Sequence, residues 1–355
     1  MAHIFKHPAN GNKGILVLTH QEIAFVLRTS EIHEKVNKIL LKYFIGVHYG
    51  GFSFGAHLPP FCAFYMGRPS VTDIKRRQPN AFEIPLASGN FTSKVFKENK
   101  EAFKYWDIIN VSRNGNVKKL QTFFREVKKI YELGHKYNIL LVCASRLEET
   151  KEDHFIDIAD VYYDMFTKEE QEMFTLLRLG KDLEFKGLSK KQLSFFYQSS
   201  KVMTLFSEME GFPGVIPEAL LTGVPVVIWE HQKGSGRDYL DTSNSKLFAD
   251  YENAHLTLID AVENYDSFDF AFEDLQSNLR EDLSLLNLKT YFSKMYELYG
   301  ESFDGDLINT DNLVSRLPAH YVDLSWASNR HAPLGDSGHV LNLEKFNTLA
   351  AELYE

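Results

Sequence analysis

Cysteine is scarce in this sequence, since Cys62 and Cys143 are the only two in 355 residues. They lie far apart and form no Cys-x-x-Cys pair, which argues against a disulfide framework and against a zinc site. Long apolar runs are also lacking, because no stretch approaches the roughly 18 consecutive apolar residues that cross a bilayer. The first residues contain no apolar segment of signal-peptide length. We therefore expect a cytoplasmic protein, either free or peripheral at a membrane.

Positive charge is in deficit, with a formal net charge of −9. This argues weakly against a nucleic-acid surface, because phosphate binding depends on Lys and Arg. The triplet Lys75-Arg76-Arg77 is a local exception, and such a triplet is typical of a solvated loop. A dinucleotide fingerprint is lacking too, since no Gly-x-Gly-x-x-Gly follows the first predicted strand. A nicotinamide-dependent dehydrogenase is therefore disfavoured.

The chain has an ordinary apolar content of 44%, and its length of 355 residues predicts about two domains. Strand-like apolar runs alternate with helical patterns, which predicts an α/β fold with doubly wound parallel sheets. Strands are predicted at Ile15 to Thr19, Phe44 to Val47, Phe82 to Leu86, Asp107 to Val111, Ile139 to Cys143, Leu183 to Phe185, Val202 to Phe206 and Val224 to Trp229. Helices are predicted over Glu22 to Tyr43, Val117 to Leu133, Ser189 to Ser199, from Pro217, over Phe268 to Leu298 and over Leu341 to Tyr354, with Glu152 to Arg178 helical or partly loop.

The strongest motif runs from Ser207 to Ile228, as Ser-Glu-Met-Glu-Gly-Phe-Pro-Gly-Val-Ile-Pro-Glu-Ala-Leu-Leu-Thr-Gly-Val-Pro-Val-Val-Ile. It follows a predicted strand and opens a predicted helix. Gly211 and Gly214 allow the backbone to approach a ligand closely. The start of the helix offers unpaired N–H groups to an anion. Ligands of open α/β sheets bind where strands end and helices begin, so this segment predicts a binding site.

These residues resemble glycosyltransferase family 4, whose Glu-x7-Glu motif corresponds to Glu210 and Glu218. The Ser-x-x-Glu-Gly-Phe opening and the Gly-Val-Pro-Val-Val strand agree as well. The resemblance implies a GT-B fold and a retaining reaction with a nucleotide-sugar donor. It implies that Glu210 lies beside the donor sugar and that Glu218 accepts hydrogen bonds from the ribose. It also implies donor contacts from the loop Gly211, Phe212, Pro213 and Gly214, in which Pro213 departs from the family pattern.

A second match to the family is Asn110-Val-Ser-Arg-Asn-Gly-Asn-Val-Lys118, where the family has Gly-Arg-x4-Lys. The resemblance implies that Arg113 and Lys118 bind the nucleoside diphosphate. Two preorganised cations stabilise the negative charge that develops when the glycosidic bond breaks. In this design the cations take the role of a metal ion, so no metal site or other cofactor is expected. Lys119 is an alternative to Lys118, and an exposed basic start of a helix is the structural alternative for both.

Weaker features complete the predicted site. The turn Phe185-Lys-Gly-Leu-Ser189 resembles the base-binding turn of the family, which makes Gly187 and Leu188 candidates for contacts with the nucleobase; a plain turn is an equally good interpretation. From the first half of the chain, His48 is the best candidate for a catalytic histidine because it ends a predicted strand, and His20 is second. A lone histidine is more often structural.

The predicted domains are an unusually short acceptor-side domain at 1–100, a nucleotide-sugar donor domain at 101–300 and a tail at 301–355 that packs back on the first domain. The predicted function is transfer of a hexose-type sugar from a UDP- or GDP-sugar to a hydroxyl group. One alternative is a GT-B epimerase or hydrolase, and another is a binding module that holds a nucleotide sugar without catalysis. The acceptor stays open among a glycan, a lipid, a protein and a nucleobase.

Overall fold

The chain is described by a computed structural model, and its contacts divide it into two compact units. The first unit combines Met1–Phe91 with Leu279–Glu355, and the second is Thr92–Asn278. The residues that the structure describes are 3–19, 23, 26–27, 29–30, 33–48, 58–67, 80–144, 157–179, 188–210, 213–234, 236–310, 313 and 351.

The first unit is built on a five-stranded sheet. Its first half contains β1 (His3–Lys6), β2 (Gly14–Thr19), α1 (His33–Lys42), β3 (Tyr43–His48), β4 (Phe64–Met66), β5 (Phe82–Ile84) and a 3-10 turn at Ser88–Phe91. The strands lie side by side in chain order. Strand β1 runs antiparallel to β2, and the other neighbours are parallel.

Strands β1 and β4 of this sheet have no counterpart in the sequence-based prediction. Strand β1 is fully buried although it contains His3 and Lys6, so its polarity hides it from a search for apolar runs. Strand β4 has only three residues. A three-residue strand is too short to show a period of two in the sequence.

The second unit carries a six-stranded sheet in which every pair of neighbours is parallel. Its elements are β6 (Trp106–Arg113), a 3-10 turn (Asn116–Lys118), α2 (Leu120–Glu132), β7 (Ile139–Ala144), α3 (Ile158–Met165), α4 (Lys168–Met173), β8 (Phe174–Leu179), α5 (Lys190–Gln198), β9 (Ser200–Leu205), β10 (Met209–Glu210), α6 (Val215–Leu221), β11 (Val226–Trp229), β12 (Lys233–Gly234), β13 (Ser245–Phe248), α7 (Ala254–Glu263) and α8 (Phe272–Leu279). The sheet order is β13-β11-β9-β6-β7-β8, with β10 and β12 forming a separate two-stranded pair.

Helices on the second sheet pack through apolar faces. Helix α2 buries Phe123, Phe124 and Val127 completely, in one cluster with Ile139 of β7 and Val202 of β9. The three residues of α2 have the spacing i, i+1 and i+4, which places them on one face of the helix. This packing fixes α2 against the sheet, and therefore also fixes the turn that precedes α2.

Several predicted elements need correction. Residues 174–178, predicted as helix or loop, belong to strand β8, which is an edge strand with partly exposed residues and so lacks a clear apolar run. Of the helix predicted over Glu22 to Tyr43, the described part is helical at residues 23, 26 and 27 and over His33–Lys42, and Tyr43 begins β3. Strand β13 and helix α7 were not predicted. The predicted Leu183 to Phe185 strand lies outside the described residues, as does the predicted terminal helix except for residue 351, which is helical.

The long helix predicted at Phe268 to Leu298 consists of two helices, α8 and α9 (Glu281–Leu298), separated at Arg280. Helix α9 returns to the first unit, where Phe292, Met295 and Tyr296 are fully buried against residues of β2 and β4. The boundaries predicted at 100 and 300 thus differ from the observed ones at 91/92 and 278/279. The physical reason is this helix, which follows the second unit in sequence but buries its apolar face in the first.

Both cysteines are buried and unbonded. Burial raises the pKa of the Cys143 thiol to about 11, although the charge of Arg178 lowers it in part. Among the described residues, no helix is long and apolar enough to cross a membrane.

Candidate active site

Two loops with predicted site residues leave the second sheet side by side. From β6 the chain passes to β7 and β8 on one side, and it then returns to β9 and continues to β11 and β13 on the other side. The order of the strands therefore reverses between β6 and β9, which are parallel neighbours. Open α/β sheets bind ligands at such a reversal, outside the carboxyl ends of the strands.

The two loops meet in an ion pair between Lys118 and Glu210. These residues are 92 positions apart in the sequence, and the Lys118 Nζ contacts the Glu210 Oε1. Their side chains are only 16% and 8% exposed. Desolvating two charges is costly unless each meets an opposite charge. The structure therefore brings together the carboxylate predicted for the sugar and a cation predicted for the diphosphate.

Backbone geometry selects Lys118 rather than Lys119 for this contact. The 3-10 turn Asn116–Lys118 ends at Lys119, whose φ of 51° lies in the left-handed region. The Lys119 Nζ instead pairs with the Glu208 Oε1 at 2.8 Å. The two side chains are 35% and 47% exposed. The Glu208 N–H also donates to the carbonyl of Val117 at 3.2 Å. The same two loops thus carry a buried pair and a half-exposed pair.

The backbone of Glu210 is held by strand β12, in which Gly234 lies opposite Glu210 and Lys233 opposite Met209. The Lys233 N–H donates to the carbonyl of Glu208 at 2.9 Å. Gly234 has a φ of +102°, and a Cβ atom there would lie 1.7 Å from the Glu210 carbonyl oxygen. Only glycine tolerates both conditions, so Gly234 is required for the position of Glu210.

Glu218, the second glutamate of the motif, lies in α6 and contacts Tyr197 of α5. The Tyr197 hydroxyl donates to the Glu218 Oε2 at 3.3 Å. Glu218 keeps some solvent contact, but the protein packed around its carboxyl group has the larger effect on its pKa. Burial raises the pKa of Glu218 to about 8, while the hydrogen bond from Tyr197 and the charge of Lys190 lower it. The free protein therefore holds Glu218 largely protonated at neutral pH.

The Glu218→Gln variant should be more stable than the wild type at alkaline pH. The folded chain keeps the proton to about pH 8 and the unfolded chain releases it near 4.5, so the folded state binds more protons between these values. The free energy of unfolding of the wild type then falls as pH rises through that window. Glutamine does not titrate, so the difference should appear above about pH 5 and level off above about pH 8 at about 2 kcal/mol, allowing for solvent contact.

Urea unfolding at acidic, neutral and alkaline pH measures this difference. The exposed Glu132, which ends α2, supplies the matched control in Glu132→Gln, for which no pH-dependent difference is expected. A Glu218→Gln difference that stays constant over this pH range would contradict the assignment of the proton to Glu218.

The other residues predicted for the site differ in how far they are buried, and some lie outside the described residues. Arg113 ends β6, is exposed and forms no ion pair with any described residue. Pro213 is buried and Gly214 is the residue before the first turn of α6. Leu188 is half-buried and precedes Ser189, which caps the start of α5 through a capping box with Gln192. Four candidates lie outside the described residues, namely His20, Gly187, Gly211 and Phe212.

His48 is the last residue of β3 and is buried. It belongs to the first unit, whereas Glu210 and Lys118 belong to the second. Its catalytic role stays a prediction. Among the described residues, no group of three or more His, Cys, Asp or Glu side chains is arranged to hold a metal ion.

Two parts of the site were not predicted from the sequence. Tyr197 lies in a predicted helix, but its contact with Glu218 depends on how α5 and α6 pack. No residue of the segment from Gln232 to Gly236 was predicted to belong to the site. Its Lys-Gly-Ser-Gly pattern was an available signal, because two glycines so close together indicate an unusual backbone. Gly236 has a φ of +108°, and a Cβ atom there would lie 2.9 Å from Pro213.

Residues 92–264 match the model of the family Glycosyl transferases group 1. The matched segment lies within the second unit, Thr92–Asn278, and it includes Lys118, Glu210 and Glu218. No curated protein matches the sequence closely enough to count as a relative.

Solved structures show a similar fold. Sucrose-phosphate synthase from Thermosynechococcus elongatus has a TM-score of 0.57 and 12% identity, over 80% of this chain and 74% of that one. TarM has a TM-score of 0.52 and 14% identity, over 81% and 55%. A mutant of S. aureus TarM in complex with fondaparinux, alpha-GlcNAc-glycerol and UDP has a TM-score of 0.51 and 12% identity, over 78% of this chain and 55% of that one. This chain thus spans 55% of the length of TarM. The predicted fold is confirmed: Rossmann-like domains with parallel sheets, as in GT-B glycosyltransferases.

Proposed function

We propose that this protein is a retaining glycosyltransferase of family 4 that moves a hexose-type sugar from a UDP- or GDP-sugar to a hydroxyl group without a metal ion. The family match of residues 92–264 and the GT-B fold support glycosyl transfer. The observation that carries the proposal is the buried ion pair of Lys118 and Glu210 beside the reversal of strand order. The TarM complex with UDP makes uridine the first base to test.

The ion pair matches a nucleotide-sugar donor, whose diphosphate and sugar develop opposite charges during the reaction. A nucleoside diphosphate gains negative charge as it leaves, and Lys118 and Arg113 supply positive charge to stabilise it. The sugar gains positive charge at its anomeric carbon, and Glu210 supplies negative charge to stabilise it. Preorganised charges of this kind act most strongly where solvent is excluded, and both members of the pair are largely buried. Binding of the donor would replace part of the contact between Lys118 and Glu210 with contacts to the donor.

The reaction balances without a further reactant. The bond between the anomeric carbon and the diphosphate oxygen breaks, and the electron pair stays with that oxygen. The acceptor hydroxyl attacks the same face of the sugar, which retains the configuration. Its proton passes to the freed phosphate oxygen, so the products are a glycoside and a protonated nucleoside diphosphate. Arg113 and Lys118 hold the diphosphate close enough to accept this proton.

A donor panel tests the proposed function. The wild-type protein is incubated with UDP-glucose, UDP-N-acetylglucosamine or GDP-mannose, with a mixture of glycan and glycerol acceptors. We expect one donor to release its nucleoside diphosphate and to form an α-linked product, as seen by NMR of the anomeric proton. Formation of an epimer without release of nucleotide would identify an epimerase instead. Tight donor binding without any turnover would identify a binding module.

A further inference from the structure

Gln232 is a buried amide with unused hydrogen-bonding groups. The residue is 4% exposed, and neither its Oε1 nor its Nε2 has a hydrogen-bond partner in the part of the chain that the structure describes. The main chain here is well held, because the Gln232 N–H donates to the carbonyl of Trp229 at 3.1 Å. Native proteins rarely keep a buried polar group unpaired, because the loss of its hydration is not repaid. The unused amide therefore indicates a ligand or ordered solvent.

The surroundings of Gln232 favour a ligand. Gln232 precedes Lys233, whose N–H bonds the carbonyl of Glu208 at 2.9 Å. Ser207 precedes Glu208, and it is fully buried with an Oγ that also lacks a partner among the described residues. Each of the two residues thus immediately precedes one partner of this backbone hydrogen bond in the sequence. Both are within three residues of the β10–β12 pair that holds Glu210.

We infer that Gln232 is a specificity-determining residue that binds a hydroxyl group of the donor sugar. This inference rests on the proposed function and names which end of the donor Gln232 contacts. A primary amide offers both a donor and an acceptor, and a sugar hydroxyl needs both. A phosphate offers only acceptors, so it would use the Nε2 of the amide and leave the Oε1 without a partner. The chemistry of Gln232 therefore matches the neutral, hydroxyl-rich part of the donor.

The test compares binding of a nucleotide with binding of its sugar. Isothermal titration uses UDP with UDP-glucose, or GDP with GDP-mannose, whichever sugar the wild type binds. The Gln232→Leu variant keeps the volume of the side chain and removes the amide. We expect its affinity for the nucleotide alone to stay within about twofold and its affinity for the nucleotide sugar to fall about 10- to 100-fold.

A matched control separates loss of the amide from general damage. Gln171 of α4 is half-buried, and its Nε2 donates to the carbonyl of Phe166 at 2.7 Å. The Gln171→Leu variant should leave both affinities unchanged. Donors that lack one hydroxyl at position 3, 4 or 6 extend the test into a double-mutant cycle. One deoxy donor should bind the wild type and Gln232→Leu equally, because the contact is already lost.

Three results would overturn the inference. Equal weakening of nucleotide and nucleotide sugar would indicate a general distortion of the site. Unchanged affinities with a lower melting temperature would show that Gln232 holds only ordered solvent. Additive effects for every deoxy donor would show that no sugar hydroxyl contacts it. If the wild type binds no nucleotide sugar, the proposed function fails as well, whereas wild-type binding with an unchanged Gln232→Leu variant overturns the inference alone.

Discussion

Glu210→Gln should lower the turnover of the best donor about 1,000-fold while the protein stays folded. The carboxylate stabilises positive charge that exists only in the transition state, and removing one such electrostatic contact costs about 100- to 1,000-fold in rate. Glutamine keeps an oxygen that accepts a hydrogen bond from Lys118, so the fold should tolerate the change. Release of nucleoside diphosphate measures turnover, and circular dichroism verifies folding.

The chain offers a matched control for Glu210 two residues away. Glu208 is also paired with a lysine, but that pair is half-exposed and the Glu208 side chain is 47% accessible. Exposed ion pairs contribute about 0.2–1 kcal/mol, so Glu208→Gln should keep turnover within about twofold. Equal turnover in the Glu210 and Glu208 variants would remove Glu210 from the mechanism.

Replacing Lys118 with methionine should affect both binding and stability. The variant loses a cation that binds the diphosphate, so affinity for UDP or GDP should fall at least tenfold and turnover should fall further. It also leaves Glu210 buried without its partner, and breaking a buried pair in this way costs about 3 kcal/mol. Titration calorimetry measures the first effect and urea unfolding the second.

Two further variants isolate these effects. Lys119→Met removes the neighbouring cation, whose pair with Glu208 is half-exposed, and it should change stability by less than about 1 kcal/mol. The double variant Lys118→Met/Glu210→Leu removes both buried charges and should recover much of the stability that Lys118→Met loses. If the double variant were no more stable than Lys118→Met, Lys118 and Glu210 would not be coupled as the structure shows.

The sequence predicts both members of the central ion pair as site residues, but it does not predict that they contact each other. Glu210 and Lys118 stand at characteristic spacings after apolar strands, and those strands were predicted within one or two residues. That β6 and β9 are neighbours depends on a crossover past β7 and β8. One sequence does not encode this order in any local pattern, because an apolar run predicts a strand without identifying its neighbours in the sheet.

Gln232 and Gly234 were missed for a different physical reason. Strand β12 has two residues, Lys233 and Gly234, and both are exposed. An apolar period cannot reveal such a strand. Its importance lies in the close approach of Gly234 to the Glu210 carbonyl, which is a tertiary contact between segments that no local rule connects. The same applies to Tyr197 and Glu218, which are joined only when α5 packs beside α6.

The return of α9 to the first unit has a consequence for how the protein is made. A ribosome releases residues 1–91 first, but the core they form is filled by Phe292 and Tyr296. Those side chains emerge only after the whole of the second unit. Since domains generally fold as units during synthesis, the second unit can finish folding while the first waits for its last helix. Residues 1–91 of the nascent chain must then stay unaggregated with an apolar sheet face uncovered. Premature termination before residue 281 would therefore harm the first unit far more than the second.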